Sequence, residues 1–300
     1  MAKVKTLKEA ISDNVRSGDT VFISGMRHGA PSAAIHEIAR QRIDHLSLIY
    51  CLGMTSILLI AEGLVDKMYT GTAAQDEKTN AALQRARSLN KYPVFEEYSH
   101  FGICLALLAG QMGIPYIPTK THLGSDLMKY NPNLTEDECP FTGEKVAAVR
   151  AVVPDVGIIH TQISDAEGNA QKWGSLGVDR PGINASNRVI VTTEKIVDSD
   201  VIRRNPNNTI IPSFRVDAVV EQPFGSFPNH LAGCYNGDTL DFQRETRKME
   251  DLEMYLKDQV HGLGDWNEYL EKRKSIKGRD YLESLKIQNP ILSDPVITGF

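Results

Sequence analysis

Cysteine is scarce in this 300-residue sequence: Cys51, Cys104, Cys139 and Cys234 are scattered, with no C-x-x-C pair. Zinc ribbons and disulfide frameworks need closely repeated cysteines, so the four thiols read as reduced and mostly buried. Long apolar runs are missing as well. The longest, around 57–61 and 103–109, fall far short of the roughly 20 residues that span a bilayer. The opening MAKVKTLKEAISDNV has no apolar core of signal-peptide type and is amphipathic from the outset. Nor is there a basic excess: the net charge is −5, and no basic stripe offers a nucleic-acid footprint. These absences point to a cytoplasmic protein that engages neither nucleic acid nor membrane.

Several catalytic signatures are absent too. Ser24-Gly25-Met26-Arg27-His28-Gly29 is not G-x-G-x-x-G, and no Walker A sequence occurs. Gly174-Ser175-Leu176-Gly177 fails as a nucleophile elbow because Trp173 stands where the first glycine must be. The eight histidines include no H-x-x-x-H pair beside a glutamate, so no bound metal is expected.

What is present is an alternation of strand-like and helix-like segments. Thr6-Leu-Lys-Glu9 matches a capping box ahead of an amphipathic helix that Gly18 stops. Residues 20–24 read as a buried strand, 25–30 as a loop, and Pro31 as the first turn of a helix. Strands at 46–52, 65–70 and 94–98 alternate with helices at 56–62, 76–89 and 100–112, and Gly113 caps the last. Strand 114–118 leads into a polar loop through Ser125. Further strands are read at 145–149, 156–161, 189–192 and 216–220, with a hairpin turn at 165–169. Such repetition implies an α/β fold with an open, mainly parallel sheet and helices on both faces. From Leu240 onward the chain is charged and helical, with Met249, Leu252, Leu256 and Val260 at helix spacing. The expected layout is one α/β domain over 1–239, with a helical C-terminal extension over 240–300 packing on it.

The stretch Ser17-Gly-Asp-Thr-Val-Phe-Ile-Ser-Gly-Met-Arg-His-Gly-Ala-Pro31 resembles the N-terminal signature of class I coenzyme A transferases. Ser24 and Met26 replace the usual Gly and Phe, and the loop is one residue short. Further blocks occur in the family's order. They are Gly113-Ile-Pro-Tyr-Ile-Pro118 with Leu123-Gly124-Ser125, Asp155–His160 with Ser164–Asn169 and Trp173-Gly174, and Val216–Val220 with Pro223-Phe-Gly225, Pro228, Gly233 and Tyr235. The resemblance runs from about Leu7 to Tyr269 and is nearest to the A subunit of glutaconate CoA-transferase.

That resemblance implies a partner B subunit, in a heterodimer or a larger A–B oligomer. It also implies a ping-pong transfer of CoA between carboxylic acids through a glutamyl-CoA thioester. Acyl-CoA and a carboxylic acid are then substrates, and no permanently bound cofactor is called for. The nucleophilic glutamate belongs to the B subunit; Glu167 matches a hairpin position of the A subunit instead.

In the loop after the first strand, Gly25 and Met26 bring backbone amides near a helix N-terminus, while Arg27 and His28 offer side chains to an acyl carboxylate. Thr72 and the pair Gly124-Ser125 follow later strands and line the same crevice. Ser99 is a natural N-cap, and His100, in the first turn, is the expected catalytic residue, kept neutral by the helix terminus. In ring-cleaving hydrolases of the superfamily an acidic residue acts near this helix start; here His100 stands there, with Glu96 and Glu97 close by. The alternatives are an acyl-CoA hydrolase, a ring-cleaving or decarboxylating enzyme, or a non-catalytic ligand-binding protein.

Overall fold

The computed structural model describes residues 3–26, 28–51, 55–71 and 80–288. Thr6 and Glu9 close the capping box of α1 (Leu7–Asn14), with Glu9 N–H on Thr6 Oγ1 (3.3 Å) and Thr6 N–H on Glu9 Oε2 (3.0 Å). Strand and helix then alternate through β1 (Thr20–Ile23), α2 (Ser32–Gln41), β2 (Leu46–Tyr50), α3 (Ile57–Ala61), β3 (Val65–Thr70), α4 (Ala81–Ser88), β4 (Val94–Glu97) and α5 (His100–Met112). Each of these strands pairs in parallel with the next.

The chain then leaves that plan. β5 (Tyr116–Thr119), α6 (Leu127–Tyr130), β6 (Leu134–Glu138) and β7 (Lys145–Arg150) follow, and the three strands form a separate antiparallel sheet in the order β5-β7-β6. Residues 114–118 and 145–149 therefore do supply strands, but not to the main sheet. Pro118 lies within β5, and a residue without an N–H is tolerated on an edge strand and excluded from a central one. Sequence reading does not find β6. Its Leu-Thr-Glu-Asp-Glu is acidic, poor in strand formers and exposed at four of five positions, so pairing with β7 alone decides its conformation.

β8 (Val156–Asp165) re-enters the main sheet beside β1. β9 (Ala170–Gln171), α7 (Asp179–Ala185), β10 (Arg188–Val197), α8 (Ser199–Arg204), β11 (Thr209–Ile211) and β12 (Ala218–Glu221) complete the α/β part. The parallel strands run β12-β10-β8-β1-β2-β3-β4, with β9 and β11 attached antiparallel at the end of β8. The β8–β9 turn is held by Asp165, whose Oδ1 accepts the N–H groups of Glu167 (3.1 Å), Gly168 (2.8 Å) and Asn169 (2.8 Å).

Period-two alternation sends side chains to both faces. Val21, Ile23, Leu48, Ile158 and Ile190 join one buried cluster with α1–α4, while Phe22, Ile49, Ile159 and Val191 join another with α5 and α7. The C-terminal helices α9 (Thr239–Thr246), α10 (Met249–Tyr255), α11 (Trp266–Lys277) and α12 (Tyr281–Leu285) add Leu252, Tyr255, Trp266, Tyr269 and Leu282 to the first cluster. The single helix period read through Val260 widens after α10 into a π turn, Leu256–His261. Trp266 stacks on Tyr269 (4.5 Å between ring centroids), and its Nε1–H donates to the carbonyl of Phe224 (3.2 Å).

From β1 the chain builds β2 to β4 on one side, and β8, β10 and β12 on the other. The switch point thus lies between β1 and β8, and crevices for ligands open at the carboxyl ends of strands around such a point.

Candidate functional site

The loop after β1 is held from inside the protein. Gly25 N–H donates to Asp179 Oδ1 (2.7 Å), Asp179 Oδ2 meets Lys172 Nζ (2.6 Å), and Lys172 Nζ donates to the Gly29 carbonyl (3.2 Å). Both side chains of this ion pair are fully buried. Burial pushes the Asp179 carboxyl up, against the opposing pull of Lys172 and the Gly25 amide. Gly25 itself has φ +97°, and a Cβ there would lie 2.4 Å from Ala30 Cα. Ser24 N–H is taken by Ile158 O (3.1 Å) and Gly29 N–H by His230 O (3.0 Å). The amides of Ser24, Gly25 and Gly29 therefore already have protein acceptors.

His28 is 2% exposed. Its Nδ1–H donates to the Ser175 carbonyl (3.1 Å) and its Nε2 accepts the Ala232 N–H (3.0 Å). The tautomer is dictated by these two backbone groups, and both ring nitrogens are occupied. Burial, with Lys172 and His230 nearby, pushes the imidazole down to about 4. The unfolded chain binds the proton below about 6.5 and the folded chain only below about 4, so stability falls as the pH drops through that window. The expected slope from His28 is about 1 kcal/mol per pH unit, seen in urea midpoints between pH 7 and pH 4. His28→Asn should flatten it; an unchanged slope would refute the assignment. Met26 is half-buried and packs against Gly177. Arg27 lies outside the described residues.

The N-terminus of α2 is plugged by the segment after β12. Ala33 N–H donates to Gly225 O (2.9 Å), Ser32 Oγ–H to Ser226 O (3.1 Å), and Asn229 Nδ2 to Ser32 Oγ (3.3 Å). That segment is anchored in turn on β8 and β10. Glu194 receives the Phe224 N–H (2.9 Å) and the Tyr235 hydroxyl (3.0 Å), and lies 2.7 Å from His160 Nε2. Burial, then Glu194, holds the Tyr235 phenol well above its ordinary range. His160 and Tyr235 enter the sequence reading only as parts of motif blocks, and Glu194 not at all. Their meeting depends on strand pairing that no local pattern encodes.

The N-terminus of α5 is built differently. Ser99 caps it, accepting Gly102 N–H at 2.9 Å, and His100 Nε2–H donates to the Cys51 carbonyl just past β2 (3.3 Å). Gly71, after β3, backs onto His100: a Cβ there would lie 2.8 Å from His100 Cα. Ser99 Oγ also lies 3.0 Å from His122 Nε2. His122 has φ +89°, and Ser125 pins its carbonyl through N–H (3.0 Å) and Oγ–H (2.7 Å). Gly124, exposed at φ +76°, completes the turn. Burial lowers the His122 imidazole. Glu96 is buried and engaged by Lys67, Tyr98 (2.7 Å) and Asn133 (2.6 Å), while Glu97 is exposed. Thr72 lies outside the described residues.

Ser99, His100, Gly124 and Ser125 thus come together at one corner, joined by His122, which sequence reading passes over although it directly precedes the Leu123-Gly124-Ser125 block. Gly25, Met26 and His28 are not brought to that corner: they lie in the loop after β1, three strands along the sheet from β4, which leads into α5. Imidazole N–H groups, hydroxyls and a helix terminus suit an acyl oxygen or a carboxylate. Among the described residues no group of three His, Cys, Asp or Glu side chains is placed to hold a metal, and no helix is long and apolar enough to cross a membrane.

The sequence profile of the Coenzyme A transferase family matches residues 4–222. The A subunit of 3-oxoadipate CoA-transferase from Pseudomonas knackmussii is 34% identical over 279 residues, covering 91% of this chain and 98% of that protein. The A subunit of glutaconate CoA-transferase from Acidaminococcus fermentans is 32% identical over 294 residues, 91% of this chain and 92% of that one. The crystal structure of that transferase superposes with a TM-score of 0.84 at 30% identity over 95% of this chain and 96% of its own. The AibA/AibB decarboxylase superposes with a TM-score of 0.71 at 28% identity, over 86% and 100% of the respective chains.

Proposed function

The chain belongs to the coenzyme A transferase family, and from that premise we propose that it is the A subunit of a heteromeric, cytoplasmic acyl-CoA:carboxylate CoA-transferase. The observation that carries this reading is the match along about nine tenths of the chain to two proteins, each named as an A subunit. The acids named for those two are dicarboxylic, and we take that class for the substrate here. CoA then moves between carboxylic acids through a glutamyl-CoA thioester on the partner B subunit. Glu96, buried in β4, and Glu194, half-buried in β10, are both engaged by protein donors, which supports a nucleophile brought from outside. Coenzyme A enters as a thioester substrate and leaves with the product.

The same fold with a different partner residue favours decarboxylation, and the likeness to the AibA/AibB decarboxylase supports keeping that second reading. One experiment separates them. The chain is purified with its partner, treated with a dicarboxylic acyl-CoA, and both polypeptides are weighed intact. The expected result is a CoA adduct on a glutamate of the partner and none on this chain, with no turnover by this chain alone. Turnover without the partner, or release of carbon dioxide in place of transfer, would overturn the proposal.

A further inference from the structure

Ser99 Oγ has two lone pairs and one hydrogen. Gly102 N–H takes one lone pair. His122 Nε2 stands 3.0 Å away, while its Nδ1 is buried and has no hydrogen-bond partner among the described residues, and the residue is only 7% exposed. A neutral imidazole carries one N–H. On Nδ1 that hydrogen would be an orphaned buried donor, rarer and costlier than an unpaired acceptor; on Nε2 it finds Ser99 Oγ. The Nε2–H tautomer follows. Two donors then point into Ser99 Oγ, and among the described residues none accepts the hydroxyl hydrogen.

An ordinary N-cap needs none of this. His122 is held at a positive φ that costs a non-glycine residue about 1–2 kcal/mol. Its carbonyl is pinned twice by Ser125. The ring also lies close against α5: a Cβ at position 102 would stand 2.5 Å from His122 Nε2, so any larger residue there would displace it.

We propose that Ser99 and His122 form a polarised hydrogen-bond donor, directed at the acyl oxygen of the CoA ester, with Ser99 as a catalytic residue and His122 as its positioning residue. The inference rests on the CoA-transfer reading above. When a carboxylate oxygen adds to the thioester carbonyl carbon, the C=O π pair moves onto oxygen, and Ser99 O–H donates a hydrogen bond to that oxyanion without losing its proton. The C=O bond re-forms as the C–S bond breaks, and the pair leaves on the CoA thiolate.

The assembled A–B complex tests this. Ser99→Ala is expected to lower kcat about 100-fold with KM nearly unchanged, while Ser99→Thr, which keeps hydroxyl and cap, retains most of the activity. His122→Gly relieves the backbone, so Tm should hold or rise while kcat falls. Nitrogen-15 NMR of the histidine rings, assigned by the signals lost in His122→Gly, should report the Nε2–H tautomer. An Nδ1–H tautomer, a Ser99→Ala kcat within about twofold of wild type, or a rise in KM with kcat preserved would each overturn the inference. If the wild-type complex transfers no CoA, the broader reading fails, and the tautomer still decides the hydrogen-bond assignment.

Discussion

Replacing Lys172 by methionine is expected to lower the unfolding free energy by about 3–5 kcal/mol, because a carboxylate is left in the core without its counter-charge. Lys172 and Asp179 are fully buried and 2.6 Å apart, and the pair also holds Gly25 N–H and Gly29 O. The loss should shrink in Lys172→Met/Asp179→Leu, where no lone charge remains, although the Gly25 amide then lacks its acceptor. The exposed pair Lys129–Asp126 serves as the control, with side chains 72% and 76% exposed; Asp126→Asn should change stability by less than about 1 kcal/mol. Urea midpoints decide the matter. A Lys172→Met loss no larger than the control's would show that the buried pair does not hold the loop.

Gly25→Ala is the second severe substitution, with an expected loss of about 2–5 kcal/mol from backbone strain and overpacking together. The two contributions can be separated. Gly18 has φ +87° with nothing within 4 Å of a built Cβ, so Gly18→Ala should cost only the strain, about 1–2 kcal/mol. The difference between the two variants measures the crowding of Ala30, whose Cα would lie 2.4 Å from the new methyl. Equal losses would mean that the loop simply moves aside.

Local signals made much of the fold legible. The Thr6/Glu9 capping box forms, and α5 begins after its Ser99 cap and ends at Gly113 with φ +69°. The strand–helix alternation through β4 is visible because parallel strands buried on both faces leave short apolar runs between amphipathic helices. What stays hidden depends on distant partners. β6 is a strand only because β7 pairs with it, and the π turn after α10 leaves the spacing of Leu252, Leu256 and Val260 looking helical. The site divides the same way. Ser99 and His100 are marked by the helix start they occupy, whereas His122 stands 23 residues away in sequence. His28 looks available in sequence, yet the carbonyl of Ser175 and the amide of Ala232, both far along the chain, take its two nitrogens.

The hydrogen bond from the Trp266 indole to the Phe224 carbonyl has a consequence for how the protein tolerates change. It fastens the C-terminal helices to the same segment that plugs α2 and covers His28, so the loop after β1 is braced from several distant parts of the chain. Inherited changes in the C-terminal helices can therefore reach the start of α2 through Phe224 and Gly225 without touching it directly.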